Sequence, residues 1–467
     1  MRVLDLKDKS FWRLLIAYGL PIAFQNLIFN SFSLVDNVLV GGLGDANIAA
    51  VGVANKLCFI FAVFLFGINS GSNIFSAQFW GKKDIAGVRK VLGLSLIIGL
   101  SISVPFTIAG VFAPHIIVDI FSDDPLVIRE GAIYLGIVAW TFPINAVSAA
   151  FAIQSRGVGR AKVPLIASAI ALTTNGFLDY IMIYGKLGLP AMGVKGAAIA
   201  TLLSKILEFT VILGITYGKK YELAARFSDF KGYNSAFLRH YISPVTPVII
   251  NELLWSVGVT VYTYFYGVLG TEAVATVQIL DVINGIFLSL FMGLGNAAGA
   301  IIGNLIGAEE EDRARVYAKR ILVVGIGLGI IVSILLVLFA PLFLSFFNIS
   351  AATREICRIT IRVYALYMVP RILNMIIIVG VCRGGGDTVF AAVIDVGAPW
   401  LIGIPMAYLG VRVFRFPVYY VIAMIMVEEL VKTIIGSIRV LSGKWLHNLV
   451  RNIDTGTGEL NPEAEVI

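Results

Sequence analysis

Apolar positions in this chain fall in long unbroken runs separated by short polar loops. Twelve such runs can be drawn, at 12–38, 46–79, 88–112, 126–156, 162–185, 193–217, 240–266, 273–306, 316–340, 352–383, 389–411 and 415–441. Runs of about 20 apolar residues are the signature of helices that cross a bilayer. The apolar positions are continuous and do not alternate with polar ones, so they predict helices, not the strands of a closed barrel, the other architecture that satisfies its backbone in lipid. Several runs are longer than a bilayer requires, which predicts tilt, kinks or protrusion. Composition agrees: of 467 residues, 58% are hydrophobic and 14% charged, against about a quarter charged in a soluble domain. The expected fold class is an all-α polytopic membrane protein of twelve transmembrane helices.

The basic residues set an expected orientation. Loops after even-numbered runs carry Lys82, Lys83, Arg89 and Lys90, then Arg156, Arg160 and Lys162, then Lys219, Lys220, Arg226, Lys231 and Arg239. Arg313, Arg315, Lys319, Arg320 and Arg383 continue that side, and both ends of the chain join it. The opposite loops are poorer in cations, with Arg354, Arg358, Arg362, Arg412 and Arg415 as exceptions. The balance predicts a multi-pass protein of the inner or plasma membrane with both termini in the cytoplasm. The net charge of +7 then reads as topology, and no basic stripe interleaved with aromatics calls for nucleic acid. The N-terminal stretch mixes acidic and basic residues and lacks the pattern of a signal peptide. Cys58, Cys357 and Cys382 lie in or beside apolar runs without metal spacing, and His115, His240 and His447 are scattered. Small core thiols and no disulfide framework are the expectation.

The chain repeats itself. At an offset of 226, Pro21 meets Pro247, Gly44 meets Gly270, Gly67 meets Gly293, Gln78 meets Asn304 and Arg89 meets Arg315. One residue later the register is 227, where Phe112-Ala-Pro114 meets Phe339-Ala-Pro341, Pro143 meets Pro370 and Arg156-Gly157 meets Arg383-Gly384. Each repeat holds six runs, an even number, so the copies should share one orientation and be related by a pseudo-two-fold along the membrane normal. The expected organisation is an N-lobe at 1–217, a cytoplasmic linker at 218–243, a C-lobe at 244–447 and a mobile cytoplasmic tail at 448–467.

Charges inside apolar runs are costly in lipid and mark candidate sites. Asp36 lies near the outer end of the first run, where an interfacial aspartate is the plain alternative. Asp179 lies well inside the fifth, and Asn175, four residues earlier, projects from the same helix face. Thr201 is about eight residues into the sixth. At about 1.5 Å per residue these groups fall at similar depth in the outer half of the bilayer. Two carboxylates, an amide oxygen and a hydroxyl suit a hard cation such as Na⁺; two close carboxylates can also share a proton. The second repeat lacks this set, since Asp36 corresponds to Tyr262 and Thr201 to Glu428. It carries Glu252, Asp281, Asp395, Glu428, Glu429 and Lys432 instead. Lys–Glu pairing is a sufficient structural account of Lys205, Glu208, Glu428 and Lys432. Glu252, beside Asn251 and Trp255, and Asp281 are candidates for a second-lobe proton or substrate site. The aromatics, Phe32, Trp140, Tyr262 and Tyr266 among them, suit packing or a cavity for amphipathic cations.

Taken together, PIAFQNLIFNSFSLVDNVLVGGLGDANIAAVGVA, the segment from Gly67 to Gln78-Phe-Trp-Gly81, SRGVGRAKVP, NGFLDYIMIYG, GVKGAAIAT and the second copy from Pro247 to Asn304-Leu-Ile-Gly307 resemble the multidrug and toxic compound extrusion (MATE) transporters of prokaryotes. The resemblance covers roughly residues 12–447, and its motifs are most similar to the branch of DNA-damage-inducible protein F. It implies efflux of amphipathic cationic small molecules in exchange for Na⁺ or H⁺ by alternating access, with no further cofactor, by a protein that acts as a monomer. In that branch the coupling site matches Asp36, Asn175, Asp179 and Thr201, which are then also the residues for Na⁺. In other branches a seventh-helix glutamate serves, and Glu252 sits at that position. The family's usual Leu-Asp-Pro is Leu178-Asp179-Tyr180 here. A flippase for lipid-linked oligosaccharides shares the fold superfamily and is the alternative reading; it would favour a basic cavity. No Walker A loop and no nucleophile–base set points to an ATP-driven pump or an enzyme.

Overall fold

A computed structural model describes residues 8–453 apart from Asn348. The expectations placed on residues 1–7, and on the tail after Ile453, lie outside the described residues. The chain is helical along almost its whole described length. The helices are α1 (Lys9–Gly41), α2 (Asp45–Gly81), α3 (Ile85–Phe112), a short α4 (Pro114–Asp119), α5 (Pro125–Val138), α6 (Thr141–Gly157), α7 (Lys162–Tyr184) and α8 (Gly193–Gly218). A 3₁₀ turn (Phe227–Phe230) precedes α9 (Ser235–Val268), α10 (Thr271–Gly307), α11 (Glu311–Ser345), α12 (Ala351–Leu366) and α13 (Met368–Met375). After α13 come α14 (Thr388–Ala398), α15 (Ile404–Tyr408), α16 (Val418–Ile425) and α17 (Val427–Ser442), with π-helical turns at Ile376–Cys382, Pro399–Gly403 and Leu409–Val413.

Nine described helices are long and apolar enough to cross a membrane, and two bent pairs bring the number to eleven. The twelfth expected span is the pair α16 and α17. It is broken at Met426 and carries Glu428, Glu429, Lys432 and Arg439, so its composition is less apolar than the others. The repeat is visible in the backbone. The turn before α2 uses Gly44 at φ 98° and the turn before α10 uses Gly270 at φ 105°, a left-handed region that glycine enters without a Cβ penalty. Lys83 and Glu309, at the same offset, both sit at φ near 60° (62° and 60°). Both bent pairs, α5–α6 and α12–α13 with its π turn, bend by 50° at equivalent breaks.

The described chain divides into two compact units. Phe24–Tyr241, with the described residues from Asn452 onward, forms one, here the N-unit. Ile242–Arg451 forms the other, the C-unit, together with α1 up to Ala23. The sequence drew its lobe boundary in the 218–243 linker alone; the first half of α1 packs instead with the C-unit. Phe11 is fully buried edge-on to Tyr317, the buried Arg320 pairs with Asp8 at 2.7 Å, and Tyr18 Oη accepts from Asn304 Nδ2 at 2.9 Å. Gly293 is needed there, because a Cβ would lie 2.6 Å from that of Ala23. The linker folds onto the N-unit: Arg160 clasps Glu222 with two hydrogen bonds (2.7 and 3.1 Å), Arg89 pairs with Asp229 at 3.1 Å, and Leu223 and Ala225 are buried. Residues 448–450 are packed, with Val450 fully buried and Asn448 donating to the Ile306 carbonyl. All three cysteines are free thiols.

Candidate functional site

The N-unit brings the four expected residues together. α1, α7 and α8 each present a polar stripe at helical spacing: Gln25 and Asp36 on α1; Ser168, Asn175 and Asp179 on α7; Thr201, Lys205 and Glu208 on α8. Steps of three, four, seven and eleven residues keep a helix face in line. The C-terminal ends of α1 and α7 are tied by Tyr184 Oη donating to the Leu39 carbonyl at 2.7 Å. Further along the same two helices, a methyl on Gly176 would touch Val35 at 3.4 Å. An apolar layer of Val40, Val51, Val138, Ile183, Val194 and Ala197 packs at that end.

Beneath that layer Asn175 and Asp179 are fully buried and Asp36 is half-buried. Asp179 has Asp36 and Asn175 as its polar neighbours, yet none of these approaches has hydrogen-bond geometry. Asp36 Oδ1, both polar atoms of Asn175 and both carboxylate oxygens of Asp179 are buried without a hydrogen-bond partner. Thr201 donates its proton to the Ala197 carbonyl at 3.0 Å, which leaves its oxygen lone pairs free to accept. Buried polar atoms are nearly always satisfied, and a buried ionised carboxylate is costly alone. The donor set, all oxygen apart from one amide nitrogen, fits a hard cation or protons on the carboxylates.

The C-unit handles its charges differently. Glu252 Oε1 lies 2.7 Å from Arg383 Nη1, an ion pair by distance whose angle is not that of a hydrogen bond. Arg383 reaches Asp395 at 4.0 Å, and Asn251 donates to the same aspartate at 3.0 Å. Lys432, almost fully buried, lies 3.8 Å from Asp395, 3.9 Å from Glu428 and 3.4 Å from Glu429. Tyr262 donates to Glu428 at 2.5 Å, Asn374 to Glu429 at 2.6 Å, and Arg371 stands 4.0 Å from Glu429. Four carboxylates are thus laced to three cations, each carboxylate within 4.0 Å of at least one. Asp281 is exposed and within Coulombic reach of Arg371, apart from Glu252. The structure therefore does not bring the two second-lobe candidates into one site.

The MatE family model matches residues 21–181 and again residues 247–409, more than half of the chain, in two copies that coincide with the repeat. The chain belongs to the MatE family. Among its relatives, the probable multidrug resistance protein NorM of Thermotoga maritima is 23% identical over 440 residues, covering 92% of each chain. The probable multidrug resistance protein YoeA of Bacillus subtilis is 26% identical over 410 residues, 85% of this chain and 87% of that one. The fold matches a solved structure described as the outward-facing conformation of a multidrug resistance MATE family transporter, with a TM-score of 0.84 over 92% of this chain and 96% of that one at 20% identity. A transporter fold, not an enzyme, is therefore the frame for both charged regions of this MatE chain.

Sequence reasoning missed several residues around these sites. Tyr134 on α5 is buried against Thr201, with Asp36 and Asp179 nearby; a tyrosine in the middle of an apolar run was the only signal. Arg156 and Arg383 entered as markers of the repeat, yet both are buried. Arg156 donates to Gln25 Oε1 at 2.8 and 3.2 Å, while Arg383 holds Glu252. Each reaches the first helix of its own repeat.

Proposed function

We propose that this MatE protein exports amphipathic cationic small molecules in exchange for Na⁺ or H⁺, and that Asp36, Asn175, Asp179 and Thr201 hold the coupling ion. The observation that carries this reading is the group of five buried polar atoms on Asp36, Asn175 and Asp179 left without hydrogen bonds inside one unit. A bound cation would offset the charge of the carboxylates and give their oxygens a partner. The chain's own part is to gather those oxygens from α1, α7 and α8 and to keep water out with the apolar layer. Exchange then requires that the ion bind two conformations of the protein with different affinity, and that the drug do the same with opposite preference. Glu252 is read as part of the C-unit's ion-pair lattice, since Arg383 already neutralises it. The names of the relatives support drugs as the substrate class, and the cation-rich loops support a plasma-membrane protein with cytoplasmic termini, acting as a monomer.

The test is drug efflux from proteoliposomes under an imposed Na⁺ gradient alone and then a proton gradient alone. Asp179→Asn is expected to lose gradient-driven efflux while Glu252→Gln keeps it. Loss confined to Glu252→Gln moves coupling to the C-unit. Absence of gradient-driven efflux in wild-type vesicles, with any drug, turns the reading to the flippase.

A further inference from the structure

Lys205 is the one cation in the middle of the α1, α7 and α8 stripes, and it sits between two sets of acids. Its ammonium lies 2.9 Å from Glu208 Oε2, three residues along α8. It also lies 4.9 Å from the centre of the Phe32 ring and 6.0 Å from that of Phe29, on the α1 face that leads to Asp36. Thr201 is one turn away on the same face of α8, and Asp36 is within Coulombic reach of Lys205.

Glu208 does not depend on Lys205 alone. Ser168 Oγ donates to its other oxygen at 2.7 Å, Gln25 Nε2 donates to Ser168 at 3.5 Å, and Arg156 donates to Gln25. This polar line runs away from the acid pair towards the end of α6. At about 1.5 Å per residue, the eleven residues from Ser168 to Asp179 along α7 separate Ser168 from Asp179 by roughly 16 Å. The charge count is also informative. Asp36, Asp179 and Glu208 bring three carboxylates, while Lys205 and Arg156 bring two cations. One positive charge must come from outside, and only Lys205, on a flexible stem, has acids on both sides.

We propose that Lys205 is a tethered counter-cation for the acid pair, its ammonium moving between Glu208 and Asp36 as the external cation arrives and leaves. The inference rests on the coupling site proposed above and assigns Lys205 the role of a positioning residue. With the external cation bound, Lys205 stays on Glu208. When that cation leaves, Lys205 turns over the Phe32 ring towards Asp36, and Ser168 keeps Glu208 hydrogen-bonded. The tether thus competes with the external cation and limits the cost of emptying the acid pair.

The prediction is a pair of opposite shifts. The probe is a hydrophobic carbodiimide, which modifies a carboxyl group in its neutral, protonated form. The readout is mass-spectrometric labelling of Asp36 and Asp179 in purified full-length protein at fixed pH. Removing the tether in Lys205→Met should raise labelling by about tenfold, the effect of one unit charge at such range in a partly screened interior. Releasing the tether in Glu208→Gln should lower it, and Lys205→Arg should stay near wild type. Equal labelling in all variants, no labelling of either aspartate in Lys205→Met, or a shift of the same sign in Lys205→Met and Glu208→Gln overturns the proposal. If labelling does not move but Asp179→Asn still loses efflux, the tether is wrong and the coupling site stands. Normal efflux in Asp179→Asn removes the coupling site, and the tether with it.

Discussion

The two units are copies of one plan that dispose of buried charge in opposite ways. At the offset of 226 or 227, Gln25 meets Asn251, Arg156 meets Arg383, Ser168 meets Asp395, Thr201 meets Glu428 and Lys205 meets Lys432. The cationic skeleton is therefore shared. The acids are not: Asp36, Asn175 and Asp179 meet Tyr262, Ile402 and Met406, while the neutral Ser168 and Thr201 meet carboxylates. In the N-unit Asp36 and Asp179 carry orphaned oxygens, while Glu208 is held by Lys205 and Ser168. In the C-unit the acids have moved to where Arg383 and Lys432 reach them, and Glu428 gains the Tyr262 hydroxyl at the position that Asp36 holds in the first copy. An unpartnered pair can take up an ion and release it. A lattice in which every carboxylate has a cation is suited to holding helices together.

The largest effect that separates the two is on stability. Arg383→Met leaves Glu252 and Asp395 short of their shared cation, and breaking a buried pair from one side costs about 3–5 kcal/mol. A large fall in unfolding temperature is expected in purified protein, with much of it restored in Arg383→Met/Glu252→Gln. In Asp179→Asn the change runs the other way: without a bound cation, removing one of two unpartnered carboxylates should leave the unfolding temperature unchanged or raise it. A fall as large as that of Arg383→Met would make the N-unit acids structural after all.

Next in size is transport. Coupling between two ligands is commonly worth about 1–3 kcal/mol, or roughly 5- to 150-fold, and Asp36→Asn should lose coupling in that range when efflux is measured with and without the driving gradient. Below it comes Tyr262→Phe, which removes a hydrogen bond to a carboxylate, worth about 1.5 kcal/mol. It should lower the unfolding temperature modestly and leave gradient-driven efflux intact. Loss of coupling in Tyr262→Phe would show that the C-unit takes part in ion exchange, and the contrast between the copies would fail.

How much of this was legible can be judged from particular residues. Helices follow from the apolar runs, because lipid imposes their length, and the two copies follow from the fixed offset; of the twelve expected spans, eleven are long and apolar enough among the described residues when each bent pair is counted as one. Asp36, Asn175, Asp179 and Thr201 were legible as charges and oxygens at one depth, since rise per residue converts position into height. Partners across helices were not. Glu252 read as a candidate proton or substrate site because its cation, Arg383, lies 131 residues on, just after the π-helical turn at Ile376–Cys382. Lys–Glu pairing was expected of Glu428 and Lys432, but Asp395, Asn374 and Arg371, which join their network, come from other helices. The assignment of α1 to both units was invisible as well, because a continuous apolar helix gives no sign of which half packs where.

The smallest effect serves as an internal control within the N-unit. Partial burial pushes the Glu222 carboxyl up, but its hydrogen bonds from Arg160 outweigh that and hold it below the ordinary glutamate value. A carboxyl depressed by folding stabilises fully above its unfolded value, about 4.3, and that contribution is lost as pH falls through the lower folded value. The side chain of Arg160 is 40% exposed, so solvent screening limits the gain to about 1 kcal/mol or less. Glu222→Gln should therefore flatten the fall in stability below about pH 4.3 and leave carbodiimide labelling of Asp36 and Asp179 at neutral pH as it was. If labelling instead moves with Glu222→Gln, the acid pair responds to the charge of the linker, and the pH behaviour of the N-unit cannot be ascribed to α1, α7 and α8 alone.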